Sequence, residues 1–485
     1  MTSGCNGTKA LSGPLGLGLL SFLLSGTALA QKYDGSGSPT FVPHTLQEAL
    51  ATAYLTNPTL REERAHLRAT DEQVPTAMAG WHPTIQTSMN LTYYDGRTNY
   101  AASGGSLGSG STYQTPGYNG QVNITQPLYE GGKTVAGIHA ATNQVMAERA
   151  KLISTEQSVF TSVVNAYVGV VEDEQLLQLA INNERVLQQQ VQATQERFRV
   201  GEITRTDVAQ AQAALASASA QRQQAEGTLQ GAQATYLQII GISAAPNIEP
   251  PQPLKLPVSS EREAVAAAVQ NNPDVVNALF TEAQQKDNIS VQISAIMPKV
   301  SADLSYQHTV NQGYSRTLMD NKYGMLSFQV PIYQGGSEYA AIRGARQQAQ
   351  AAHREVDVQR RTALQKAASS WQQMVAFKQS INSDRVAISS NVIALDGVER
   401  QALVGTSTTL AVLQQQQTLL QAQQTLVQHL SNLVISSYAV AASIGRLTAS
   451  DLKLGVPLYD EKAYYNAVKN RLWGTSDYAI NQPGR

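Results

Sequence analysis

Asp303, Ser305 and His308 place a carboxylate, a hydroxyl and an imidazole within one short stretch, the groups that make a nucleophilic triad when they converge in a buried site. Here they fall along a single alternating segment, and without burial such a set is not a site. The other histidines, His44, His66, His82, His139, His353 and His429, are scattered, and no HExxH metal motif, glycine-rich phosphate loop or nucleophile elbow accompanies them. The acidic pairs Glu62-Glu63 and Asp173-Glu174 lie in helical runs and are expected to be solvated faces. The single cysteine, Cys5, lies in an N-terminal leader, which excludes disulfides, thiol catalysis and cysteine-ligated metal from the chain that follows. The expectation is a protein with no catalytic residue, no cofactor and no metal. A net charge of −1, with 15% charged residues and no basic patch, also argues against a nucleic-acid partner.

What the chain offers instead is neutral polarity laid out twice. Residues 45–241 are repeated at 260–445. Tyr129-Glu130-Gly131-Gly132 returns as Tyr333-Gln334-Gly335-Gly336, Gly201 as Gly405 and Gly241 as Gly445, all 204 residues on. Upstream, Asn57-Pro58 returns as Asn272-Pro273 and Pro83 as Pro298, 215 residues on; the difference lies in the Gly/Ser-rich stretch Ala101–Tyr118. The organisation expected is a leader over 1–30, a first repeat over 31–244, a linker over 245–259, a second repeat over 260–446 and a terminal segment over 447–485. A duplicated strand–strand–long-helix unit cannot bury its surface alone and points to an assembly.

The leader reads as an export signal: Lys9 is its positive start, Leu11–Leu24 its apolar run, and Ala28-Leu29-Ala30 a cleavage site before Gln31. No later stretch supplies the roughly 20 apolar residues of a transmembrane helix, so membrane entry would be through strands. After Pro83, Ile85, Thr87, Met89, Leu91 and Tyr93 alternate with Gln86, Ser88, Asn90 and Thr92. Val122 and Ile124 alternate with Gln121, Asn123 and Thr125, ending at Pro127. In the second repeat Val300, Ala302, Leu304 and Tyr306 alternate with Ser301, Asp303, Ser305 and Gln307, and Leu326, Phe328 and Val330 with Ser327 and Gln329, ending at Pro331. Four strands are thus expected, near 84–94, 118–127, 299–308 and 323–331, each with one apolar face and one face suited to a water-filled lumen. Four strands cannot close a membrane barrel, which starts at about eight, and open edges are not tolerated in lipid. Copies of the chain must therefore supply eight, twelve or sixteen strands. The hairpin loops, Asp95–Gly117 and His308–Lys322, would lie on the external side.

Proline is absent from about Lys133 to Val200, and Val159, Val163, Tyr167, Val170, Leu177 and Ile181 keep helical spacing. A helix over about 131–200 would span on the order of 100 Å, and the second copy, 335–404, matches it. Each is expected to end at Gly201 or Gly405 and turn into a return helix, 207–240 or 409–444, packed as an antiparallel coiled-coil partner. Thr206-Asp207 is expected to cap the first return helix, with a role for Asp207 in a gate equally open. The rival to a conduit is a structural or adhesive coiled-coil surface protein on a small barrel. Strands set inside each repeat, between an inbound and an outbound helix, favour the conduit.

Over essentially the whole segment after the leader, the chain resembles the outer-membrane efflux protein (TolC) family. The resemblance rests on the two repeats, on Gln126-Pro127-Leu128-Tyr129-Glu130-Gly131-Gly132 and Val330-Pro331-Ile332-Tyr333-Gln334-Gly335-Gly336 at the barrel-to-helix junction, and on Arg197-Phe198-Arg199-Val200-Gly201 with Thr206-Asp207-Val208 at the tip. It implies a homotrimer in the outer membrane of a Gram-negative bacterium, with a twelve-stranded barrel continued by a twelve-helix periplasmic tunnel. It implies an exit duct for multidrug efflux or type I secretion, served by a periplasmic adaptor protein and an inner-membrane pump. The family's second-repeat tip carries acidic residues that ring the closed pore and an arginine that ties it shut. Ala411 and Gln414 stand at the acidic positions here and Ser407 at the arginine, whereas Asp207 matches; a gate at Arg197, Gly201, Thr206, Asp207 and Gly405 would rely on other contacts. Leu447–Arg485 and the Pro-rich link Ala245–Pro257 would form a belt around the tunnel's midpoint.

Overall fold

The structure, a computed structural model, describes residues 42–98, 111–311 and 317–475. The leader with Cys5, Lys9, Ala28 and Ala30, and the centres of both hairpin loops, lie outside the described residues. Each repeat begins with a pair of helices meeting at an Asn-Pro step. In the first, α1 (Leu46–Thr56) is followed by α2 (Pro58–Asp71) and a short α3 (Gln73–Met78). The Asn57 side chain accepts from the backbone N–H of Thr59 and Leu60, while its amide donates to the Ile239 carbonyl at 3.0 Å. The same asparagine–proline pair recurs at Asn272, whose amide donates to the Ser443 carbonyl at 3.1 Å. A residue pair readable as a helix start therefore also docks the end of each return helix.

A single antiparallel sheet, ordered β1-β2-β3-β4, joins the repeats: β1 (Thr84–Thr98), β2 (Ser111–Glu130), β3 (Lys299–Val310) and β4 (Leu318–Gln329). Pairing of β2 with β3 crosses between repeats, so β1 and β4 are left as open edges within one chain. Both hairpins extend further than the alternation indicates. Thr98 pairs with Ser111 and Val310 with Leu318, so much of what reads as loop in Asp95–Gly117 and His308–Lys322 is ladder. Nor does β2 stop at Pro127: it continues to Glu130 through a register shift between Pro127 and Tyr129. Proline lacks the N–H for a regular ladder and is tolerated at such a bulge. β4, with no outer neighbour, ends at Gln329, ahead of Pro331.

The long helices are α4 (Lys133–Arg199) and α8 (Ser337–Leu403), which return as α5 (Arg205–Ile240) and α9 (Thr409–Ser443). Between them lie α6 (Glu261–Asn271) and α7 (Pro273–Ile293), and α10 (Ala463–Val468) follows. No described helix is long and apolar enough to cross a membrane. The main core is not spread along the helices. It gathers where Leu50, Val163, Tyr167, Tyr236 and Tyr438 meet Ala245 and Ile248 of the linker and Leu447 and Leu454 of the terminal segment. Tyr167 ties this belt by donating one hydroxyl to the carbonyls of both His44 and Glu249, at 2.7 and 2.8 Å. Of the helical stripe read from sequence, Val159, Val163, Tyr167 and Val170 are buried at this belt, but Leu177 is half-buried and Ile181 exposed. Below the belt the buried stripe of α4 shifts to Ala180, Asn183, Leu187 and Val191.

Candidate conduit walls, junction and tip

Strand register assigns the two faces of the sheet. Ile85 faces Ile124, which faces Leu304, while Gln86 faces Asn123, which faces Ser305. The apolar face is left bare: Leu91 is 78% exposed and Phe328 68%. Towards the loops this face turns polar, where His308 bonds Tyr118 at 3.0 Å and Asp320 at 2.6 Å and the Tyr306 hydroxyl donates to Asp320 at 3.1 Å. An apolar band closed by aromatic and polar side chains is the pattern expected of the outer face of a membrane barrel. β4 departs from strict alternation, since Met319, Tyr323 and Met325 share the polar face with Asn321 and Ser327.

That polar face is held by side-chain bonds both across and along strands. Asn119 accepts from Gln307 and Thr309, Asn123 from Gln121 and Ser305, and Asp303 from Thr125 at 2.7 Å and Ser301 at 3.0 Å. Asp303 and Ser305 therefore spend their polar atoms on wall neighbours, and His308 lies on the opposite face with Asp320. The triad suggested by residue types does not assemble. Glu63 departs from expectation too: it is buried against Lys151 at 3.0 Å, whereas its neighbour Glu62 is exposed beside His66. Among the described residues no group of His, Cys, Asp or Glu is placed to hold a metal ion.

At the junction, Gly131 and Gly132 have φ of 65° and 85°, and Gly335 and Gly336 φ of 76° and 83°, the left-handed region that other residues adopt at a cost. The two pairs are not equally crowded. A Cβ on Gly131 would lie 2.6 Å from Met297 Cβ and 2.8 Å from the Ser294 carbonyl oxygen, while one on Gly335 would meet nothing within 4 Å.

At the opposite end, Gly201 and Gly405, with φ of 80° and 78°, close both long helices by the same turn. The N–H of Glu202 donates to the Arg197 carbonyl at 3.0 Å, and that of Thr406 to the Gln401 carbonyl at 2.9 Å. The first return helix starts earlier than Thr206-Asp207 suggests, at Arg205, because its N-cap is Thr204; the second, capped by Thr408, starts at Thr409. Thr204 and Asp207 form a reciprocal capping box, and the Thr204 hydroxyl and backbone N–H hold the Asp207 carboxyl below its ordinary range. Asp207 is therefore committed to the cap. In the second tip the Thr408 hydroxyl accepts from the Ala411 N–H at 3.2 Å, but alanine cannot return the bond. Ala411→Asp is expected to complete the box and add about 1 kcal/mol to the start of α9, read as slower amide exchange in its first turn; unchanged exchange would contradict it.

The link between tips comes from Arg197. Its guanidinium donates twice to Glu202, at 2.9 and 2.6 Å, and once to the Ala402 carbonyl of α8 at 3.2 Å. The same guanidinium holds the Glu202 carboxyl below its usual range. Ser407 contributes its N–H to the Gln401 carbonyl, and Gln414 points to solvent with its own carbonyl accepting from Thr418. Around them Val200, Leu403 and Val404 are exposed. Glu202 and Ala402 carry no sequence signal, but Thr204 does: a threonine three residues before Asp207, with a threonine again at 408, is a cap pattern.

A profile of proteins described as "Outer membrane efflux protein" matches residues 49–242 and 264–446. Outer membrane efflux protein BepC of Brucella suis is 32% identical over 93% of this chain and 95% of its own. Outer membrane protein TolC of Escherichia coli is 26% identical over 84% and 83%. The solved Campylobacter jejuni CmeC outer membrane channel superposes with a TM-score of 0.72 at 16% identity, covering 88% of this chain and 89% of that one, a likeness of fold.

Proposed function

The chain belongs to the outer membrane efflux protein family, and from that premise we propose that it is the outer-membrane exit duct of a tripartite efflux or type I secretion system. The observation that carries this reading is the unclosed sheet: β1 and β4 each present an unpaired edge beside an apolar face. Lipid leaves unpaired backbone groups at a cost of several kcal/mol each, so the β4 edge must pair with β1 of another copy. Val358, Val386 and Ile393, exposed on α8, support closure through the helices as well. Three copies give a twelve-stranded barrel over a twelve-helix tunnel, as the family resemblance implies.

The wall then conducts passively. Apart from Asp303, whose carboxylate is held by Thr125 and Ser301, amide and hydroxyl side chains of the polar face offer water-like contacts without deep charge wells. The tips supply the closure: Arg197 holds the two turns of one chain together, and separating them opens the periplasmic end. A periplasmic adaptor protein docks on the exposed apolar Val200, Leu403 and Val404, and an inner-membrane pump provides the energy. Mass measurement of the purified protein in detergent tests the assembly: a species of three chains is expected, and a monodisperse single chain would refute it. Arg197→Ala, which removes the bond to Ala402, is expected to raise unitary conductance several-fold without loss of trimer. Unaltered conductance would remove Arg197 from the closure.

A further inference from the structure

The terminal segment is anchored to the helices at two places of different chemistry. Leu447, Ala449 and Leu454 belong to the apolar belt core. Beyond them, Tyr459–Val468 lies over α2, α3 and α4 through polar contacts, with Tyr465 also packed on Val74, Ala141 and Val145 and Val468 buried. The Tyr459 N–H donates to the Tyr54 hydroxyl at 3.0 Å, Tyr464 donates to Glu72 at 2.8 Å, and the Arg149 guanidinium sits 5.4 Å from the Tyr465 ring centre. Beneath this arm is Asp71, 0% exposed, with neither carboxylate oxygen hydrogen-bonded. The charged and titratable groups facing it are Arg68 and Glu72 from the α2 end, Arg149 from α4, and Glu461 and Tyr459 from the arm itself. The two arginines stay outside bonding distance of it, and Nη1 of Arg68 and Nε of Arg149 are themselves unbonded.

A buried carboxylate with no bonded partner is costly, while the protonated acid is tolerated far better. We infer that Tyr459–Val468 is a pH-released arm, docked on α2 and α4 while Asp71 is protonated and loosened when Asp71 ionises. Burial pushes the Asp71 carboxyl up to about 7. The docked arm therefore binds the proton more tightly than the undocked one, whose aspartate is ordinary. Docking is strongest below the ordinary aspartate range, near pH 4, weakens as pH rises to about 7, and changes little above that. Glu156, also raised to about 7 by burial, differs in keeping a partner, since it accepts from the Ala449 N–H at 2.6 Å. Leu447, Ala449 and Leu454 carry no titrating group, so the apolar anchor is retained when the polar one lets go.

The inference does not rest on the channel reading, and it is tested by amide hydrogen exchange on the whole protein in detergent. Protection factors over Tyr459–Val468, corrected for intrinsic rates, are expected to fall about tenfold or more between pH 5 and pH 7.5. Those over Leu447–Leu454 fall much less. Asp71→Asn, which is isosteric and cannot ionise, should flatten the change, and Glu156→Gln should leave it in place. A wild-type arm with constant protection, or an Asp71→Asn arm with the wild-type pH dependence, would overturn the proposal.

Discussion

Gly131→Ala is expected to remove most of the correctly assembled protein, whereas the equivalent change in the second repeat, Gly335→Ala, is expected to be mild. Both residues sit at positive φ, so each substitution carries the left-handed penalty of about 1–2 kcal/mol. Only at Gly131 does the new methyl group also strike Met297 and the Ser294 carbonyl, at 2.6 and 2.8 Å. Those atoms belong to the turn that leads from α7 into β3, so relief would mean moving the strand that joins the two repeats. Overpacking of this kind adds roughly 1–3 kcal/mol. The yield of assembled protein in detergent, with its thermal midpoint, checks the difference; equal losses at Gly131 and Gly335 would contradict the asymmetry.

Arg64→Ala is expected to cost about 3–5 kcal/mol, the usual penalty for removing one member of a buried charged set. Arg64 is 1% exposed, donates to the Tyr54 carbonyl at 3.1 Å, and lies 4.6 and 5.2 Å from the ring centres of Tyr54 and Tyr459. Its charge also favours the ionised form of Glu156. Truncation empties that space and leaves the terminal segment attached by fewer groups. Chemical denaturation checks the cost, and a change below about 1 kcal/mol would show that the cluster holds nothing together.

The fold was legible where its signal is local. Alternation along Ile85–Tyr93 and Val300–Gln307 marks strands because one face is apolar, and Gly201 and Gly405 mark turns because glycine adopts positive φ without a Cβ penalty. The unread features depend on neighbours distant in the chain. β2 runs through Pro127 because β3 still offers ladder partners beyond the bulge, where Tyr129 pairs with Val300 and Glu130 with Lys299. Glu63 reads as a surface acid until α4 brings Lys151 to it, and Arg64, which carries no sequence signal, is enclosed by Tyr54 and Tyr459. Ile181 keeps core spacing yet is exposed, because beyond the belt the buried stripe of α4 moves to Ala180, Asn183, Leu187 and Val191. At the tip, Arg197 was readable as part of a motif, but its bond to Ala402 joins two repeats and has no sequence signature.

A ring of chains enclosing a water-filled path is the claim on which the remaining interpretation depends, and single-channel recording in a planar bilayer tests it most directly. Small, long-lived unitary steps are expected from the wild-type protein, as the proposed closure by the tips requires. Absence of any steps from folded protein inserted in the bilayer would contradict the conduit and return the chain to a structural role.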